Sequence, residues 1–237
     1  MSDPFLHVPE LRDQITPFDQ SLFRQDFPAY VRGLGREQGL NISDIYPDAD
    51  RIALHDAFLA QHSGDLWVFA YGSLIWDPAL DFVEVRRATV DGYARKMCLV
   101  DDMGARGSAA EPGLMAGLAP GDHCHGMAFL LPADRVADET RFLWGREMIA
   151  PGYLTRMLPA RTPQGSIQVL AFVADLNHHQ MQPDLPLDTQ ARYIATGQGE
   201  LGTSFDYVKS IIDRFAILGI EDPHLREVYS RALALRA

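Results

Sequence analysis

The chain has 237 residues, 47% of them apolar and 22% charged, with a formal net charge of −11. That length supports a substantial core within one domain, and the apolar content excludes a disordered chain. The negative charge argues against nucleic acid or an anionic membrane as partner, although local arginines can still receive a small anionic substrate. The two cysteines, Cys98 and Cys124, sit among strand-like apolar residues. They make no disulfide framework and predict buried thiols in a reducing compartment. Met1-Ser2-Asp3-Pro4 lacks the basic and apolar regions of a signal peptide, and no apolar run reaches bilayer length. The expectation is a soluble, cytoplasmic protein without nucleic-acid or membrane partners, its oligomeric state left open.

Residues 1–64 are polar, proline-dotted and weakly periodic, with short helices predicted over 27–34 and 52–61. They read as an N-terminal extension packing on a main body of residues 65–237, with no chemistry assigned. From Leu66 the texture turns to strands. Trp67-Val68-Phe69-Ala70 is an apolar, β-branched and aromatic run, the pattern of a buried strand. Tyr71-Gly72-Ser73 interrupts it, and Asp77-Pro78 turns the chain. A strand running into a glycine turn exposes successive backbone N–H groups, a nest for a carboxylate or a developing oxyanion. A tight turn between two core strands is the alternative.

Strands are predicted over 82–90 and 93–100, joined by a hairpin turn at Asp91-Gly92, then a glycine-rich loop over 104–113. Two more, over 114–118 and 126–130, flank a Pro120-Gly121 turn. Short antiparallel strands at this spacing suggest a curled sheet or barrel. A helix over 133–147 sets Leu143 and Glu147 four residues apart, so Glu147 lies on or beside the buried face. A carboxylate there needs a partner or a cavity. It is either ion-paired with Arg141, Arg146 or Arg156, or a proton shuttle with a raised pKa in an apolar pocket. Strands over 153–158 and 167–173 follow, then a polar loop over 177–186. The C-terminal part is helical, over 188–195, from a Thr203 cap, and from Asp222-Pro223 to the end.

Three competing chemistries fail on context. Gly197-Gln198-Gly199-Glu200-Leu201-Gly202 fits G-x-G-x-x-G, but a helix rather than a strand precedes it, and it reads as a flexible interhelix turn. His123-Cys124-His125 and His178-His179 lack metal-ligand spacing and read as loop and surface histidines. Ser73 lacks the second glycine of G-x-S-x-G, and no histidine and acid stand out as triad partners. A hydrogen bond from Ser73 to substrate is the better reading.

Val68-Phe69-Ala70-Tyr71-Gly72-Ser73-Leu74-Ile75-Trp76 resembles the signature strand and loop of the gamma-glutamylcyclotransferases, in particular the glutathione-degrading ChaC branch. The likeness continues through Arg106-Gly107, Pro112-Gly113-Leu114, Leu143-Trp144-Gly145-Arg146-Glu147-Met148, Ile194-Ala195-Thr196 and Ile220-Glu221-Asp222-Pro223. It implies an α+β fold, a small mixed β-barrel with flanking helices. The implied reaction is intramolecular: the γ-glutamyl α-amine attacks its own γ-carbonyl, giving 5-oxoproline and, from glutathione, cysteinylglycine. No metal or organic cofactor is expected. By this resemblance Glu147 matches the family's catalytic glutamate, while Val68, Phe69, Ala70, Tyr71, Gly72, Ser73 and Leu74 form the substrate-binding strand and loop. One departure stands out: where relatives often carry Asn-Pro-x-Tyr, this chain reads Asn177-His178-His179-Gln180. Tyr153 remains as a pocket aromatic. Cyclotransfer on other γ-glutamyl amines, or non-catalytic binding of a γ-glutamyl metabolite, are the alternatives.

Overall fold

A computed structural model describes residues 3–38 and 42–236; positions 1, 2 and 39–41 of the expected extension lie outside the described residues. Five strands, β1 (Leu66–Ala70), β2 (Glu84–Met103), β3 (Ser108–Leu131), β4 (Tyr153–Thr162) and β5 (Gly165–Ala174), close into a barrel in the order β1-β3-β2-β4-β5. β1 runs antiparallel to β3 and parallel to β5, so it is paired on both edges. Its apolar run matches burial on both faces, with Leu66, Val68, Phe69 and Ala70 buried and only Trp67 half-buried.

The expected hairpin at Asp91-Gly92 and the turn at Pro120-Gly121 are both absent. β2 and β3 instead run through these sites as single strands, paired from Glu84↔Leu130 to Met103↔Ser108. The two glycine cues face each other across the ladder, Asp91 against His123 and Tyr93 against Pro120, with a register shift between them. Gly92 takes a φ of +79°. An Asp-Gly pair serves a bulge as well as a turn, because both need a residue with positive φ. The bulge bends two long strands so the sheet can close. The expected loop over 104–113 shrinks to residues 104–107, and the rest belongs to β3.

Helix α3 (Val136–Glu147) covers one side of the barrel. Its Trp144 packs between Phe58 of α2 (Asp48–Leu59) and Phe172 of β5, with ring centroids 4.9 and 5.7 Å away. The N-terminal residues lie against the barrel. Val8 and Leu11 are fully buried, Thr16 N–H donates to the Trp76 carbonyl at 2.7 Å, and Arg24 pairs with the buried Glu139 at 2.5 Å. Helix α1 (Phe27–Gln38) follows that ion pair.

Helix α4 (Leu187–Thr196) leads into Gly197–Gly202, which is not a loose turn. Gln198–Gly199 pairs with Gly202–Thr203, and the Glu200 and Leu201 N–H groups donate to the carbonyls of Gly104 and Ala105, each at 2.8 Å. The segment is therefore bound to the β2–β3 connection by backbone hydrogen bonds. Helix α5 (Ser204–Leu218) starts at Thr203, whose hydroxyl accepts from Asp206 N–H at 2.9 Å. Gly219, at φ +62°, ends it, and Asp222 caps α6 (Pro223–Ala234). No helix among the described residues is long and apolar enough to cross a membrane.

Candidate active site

The end of β1 and the end of α3 meet at a cavity of about 520 Å³. Tyr71, Gly72, Ser73, Leu74 and Glu147 all line it, so the two elements singled out in the sequence share one site. Val68, Phe69 and Ala70 do not. They are fully buried between β3 and β5, and none forms part of the cavity wall. Their part is to fix where the loop begins. A second concavity, between α4 and α6, is lined by Arg231 and Asp188, which pair with each other, and its only acid, Asp188, is exposed to solvent.

The loop after β1 is held from behind. Arg95, buried on β2, donates from Nε to the Tyr71 carbonyl at 2.6 Å, from Nη2 to the His125 carbonyl at 2.5 Å, and from Nη1 to Asp222 at 2.7 Å. Gly72 is required by close approach, since a Cβ there would stand 2.9 Å from the Tyr207 hydroxyl. The N–H groups of Gly72, Ser73 and Leu74 donate to no acceptor among the described residues. All three residues line the cavity, so the turn expected to offer a nest borders it.

Glu147 is the last residue of α3, its side chain 15% exposed. It does pair with Arg146, Nε to Oε1 at 2.9 Å, and it also lines the cavity, so the ion pair expected from the sequence does not remove it from the site. Burial pushes its carboxyl above the ordinary value, and the Arg146 charge pulls part of the way back. Arg146 in turn donates from Nη2 to Ser73 Oγ at 2.8 Å and from Nη1 to the Asp77 carbonyl, with its guanidinium 3.9 Å from the Phe23 ring centroid. One arginine therefore sets the position of both the serine and the acid. Ser73 Oγ accepts from Arg146, and its own proton has no acceptor among the described residues.

Three phenols surround this pair. Tyr71 donates to the Phe172 carbonyl at 2.9 Å and Tyr153 to the Ala116 carbonyl at 3.0 Å. Tyr207 accepts from Ala116 N–H at 3.2 Å, so its own proton is uncommitted. Burial raises all three pKa values, which keeps them neutral donors. No histidine lines the cavity. Burial also pushes the Cys98 thiol up to about 12 and raises that of Cys124, so neither is a nucleophile at neutral pH.

A family model described as ChaC-like protein matches residues 66–233. The chain belongs to the ChaC-like family. A glutathione-specific gamma-glutamylcyclotransferase of Escherichia coli K12 is 35% identical over 166 residues, 70% of this chain and 71% of the relative. A human glutathione-specific gamma-glutamylcyclotransferase 1 is 28% identical, over 77% of this chain and 86% of its own. The crystal structure of a yeast gamma-glutamyl cyclotransferase specific to glutathione superposes with a TM-score of 0.67 at 18% identity. It covers 73% of this chain and 98% of its own. The barrel with flanking helices is thus a fold this ChaC-like chain shares with that yeast protein.

Sequence reasoning missed two parts of the site. Tyr207 stands four residues before Ile211 and eight before Phe215, so it extends the apolar stripe of α5 and was legible as its first member. The cavity wall from the N-terminal residues, including Phe23, Phe27, Tyr30, Ile42 and Ile45, had no such signal. Replacing Ser73 by alanine is expected to raise KM for substrate about tenfold with little change in kcat, measured by steady-state kinetics. A trapped acyl-enzyme in the wild type would assign Ser73 a nucleophilic role instead.

Proposed function

We propose that this ChaC-like protein is a gamma-glutamylcyclotransferase that cleaves glutathione to 5-oxoproline and cysteinylglycine, with Glu147 as the catalytic acid–base. The observation that carries this reading is the pairing, across one cavity, of a buried carboxylate with three unfilled backbone N–H groups. That combination suits a reaction whose nucleophile belongs to the substrate. In it, the α-amine nitrogen bonds to the γ-carbonyl carbon, and the bond to the cysteinyl nitrogen breaks. Glu147 takes a proton from the α-ammonium to free the nucleophile and hands it to the departing nitrogen, then relays the second proton from the attacking nitrogen. The ammonium thus ends as the lactam N–H, and the cysteinyl amide N–H as the free ammonium of cysteinylglycine. The Gly72-Ser73-Leu74 nest stabilises the tetrahedral oxyanion or holds the glutamyl carboxylate. Confinement supplies the rest, by holding the glutamyl chain folded with its amine against its own carbonyl.

Arg106 supports glutathione over a neutral γ-glutamyl amine. It lines the cavity and is largely buried, with its guanidinium 4.9 Å from the Tyr207 ring centroid. Its Nη1 reaches the Thr203 carbonyl at 3.3 Å. Asp101, which accepts from its backbone N–H, and Asp206 act on it electrostatically, but no carboxylate among the described residues forms an ion pair with the guanidinium. A largely buried guanidinium with no directly paired carboxylate is costly, and the glycine carboxylate of glutathione would complete it. Arg106→Met is therefore expected to raise KM for glutathione about 10–100-fold while hardly affecting a γ-glutamyl alkylamide. An equal loss on both substrates would assign the site to other γ-glutamyl amines. Residues 65–237 form the catalytic domain in this reading. From the extension, Leu22, Phe23, Phe27, Tyr30, Ile42 and Ile45 contribute to the cavity wall, and a cytoplasmic setting fits the two free thiols.

A further inference from the structure

His178-His179 lacks metal-ligand spacing in sequence, but the fold adds a third ligand. Asp44, from the connection between α1 and α2, approaches the pair so that one ligand atom from each residue lies within 4.8 Å of the others. This is the one group of three or more such side chains so placed among the described residues. The two imidazoles follow β5 in a fixed loop. His178 N–H donates to the Asp175 carbonyl at 2.9 Å, Met181 N–H to the His178 carbonyl at 2.9 Å, and Gln182 N–H to the Cys98 carbonyl at 2.8 Å. Their ring centroids are 4.5 Å apart. A second observation concerns hydrogen bonding: His178 Nδ1 is buried and has no partner among the described residues. A buried ring nitrogen left without a partner costs stability unless a ligand completes it.

We propose that Asp44, His178 and His179 form a site for a borderline divalent transition metal of the zinc class, clipping the N-terminal wall to the barrel beside the cavity. The donor set, two imidazoles and one carboxylate, suits zinc and its neighbours, whereas magnesium and calcium take oxygen ligands. Three protein ligands leave a fourth position for water. The placement joins two parts of the cavity wall. Ile42 and Ile45 flank Asp44 and line the cavity, as do Gln180, next to His179, and Gly152, whose missing side chain leaves room beside His178 Nδ1. The Tyr46 N–H to Ile149 carbonyl bond at 2.9 Å already draws these segments together, and a metal would fasten them.

The test uses full-length, tag-free protein freed of metal with a chelator and titrated with zinc chloride by calorimetry, with no glutathione present. One zinc per chain is expected, bound at least ~10-fold more weakly by His179→Ala and not detectably by the His178→Ala, His179→Ala double variant. His179 is exposed, so its replacement leaves folding intact. Hydrogen exchange across residues 42–46 is expected to slow on adding zinc to the wild type and not to the double variant. Absence of stoichiometric binding, or binding retained by the double variant, would overturn the site. Zinc binding with unchanged exchange at 42–46 would overturn the clip. None of these readouts needs turnover, so the site stands or falls apart from the cyclotransferase reading.

Discussion

Glu147→Gln is expected to fold as the wild type does and to lose about 10²–10⁴-fold in kcat, the range of general acid–base catalysis. Glutamine keeps the size of the side chain and an oxygen for the Arg146 Nε–H, so the Arg146–Ser73 arrangement survives. What it removes is the ability to accept a proton from the α-ammonium. The variant should still bind glutathione, because the nest and Arg106 are untouched. The wild type carries a further signature in its pH profile. Burial raises the Glu147 pKa above its ordinary 4.5. As pH falls through that raised value, the carboxylate gains a proton and stops serving as base. The acid limb of kcat/KM should therefore lie above pH 4.5, and the residual activity of Glu147→Gln should lack it. Wild-type turnover in a folded variant would remove Glu147 from the mechanism.

Asp222→Ala is expected to destabilise the protein by about 3 kcal/mol, through two losses at one residue. The carboxylate caps α6 by accepting Leu225 N–H at 3.0 Å. Its other oxygen pairs with Arg95, whose side chain is only 4% exposed. Removing one partner of a buried pair leaves the other charge without its counter-ion, which costs about 3–5 kcal/mol. The lower end applies because two carbonyls still hold Arg95. For a chain of this size that amounts to about 6–12 °C in Tm by calorimetry. Asp222→Asn, which keeps the cap but not the charge, should recover part of the loss. An unchanged Tm would show that Arg95 needs no carboxylate. Because Arg95 also holds the Tyr71 carbonyl, KM should rise with the loss of stability.

Much of this architecture was legible in the chain. The apolar run at 66–70, the Thr203 and Asp222 caps and the four-residue spacing of Leu143 and Glu147 each carry a local physical signal, and each element formed where expected. The Asp91-Gly92 cue misled because a positive-φ residue serves a bulge and a turn alike. The Pro120-Gly121 cue misled because Gly121 answers a close approach to Ala94 on the facing strand, where a Cβ would stand 2.4 Å from the Ala94 Cβ. In both cases only the facing strand decides, and that pairing is not a local property. Val68, Phe69 and Ala70 were tied to the substrate by the family resemblance, yet they are fully buried in the barrel and line none of the cavity. Arg146 was read as one possible partner for Glu147, but its second contact, with Ser73, spans a separation that no local pattern encodes. The same holds for Asp44 beside His178 and His179, and for the apolar wall from residues 23–45.

The central claim is tested most directly by incubating purified protein with reduced glutathione and identifying the products by mass spectrometry. The account predicts 5-oxoproline and cysteinylglycine in equal amounts, both lost in Glu147→Gln. Glutamate in place of 5-oxoproline would indicate attack by water or by a residue of the protein, and would contradict it, as would intact glutathione after incubation with folded enzyme.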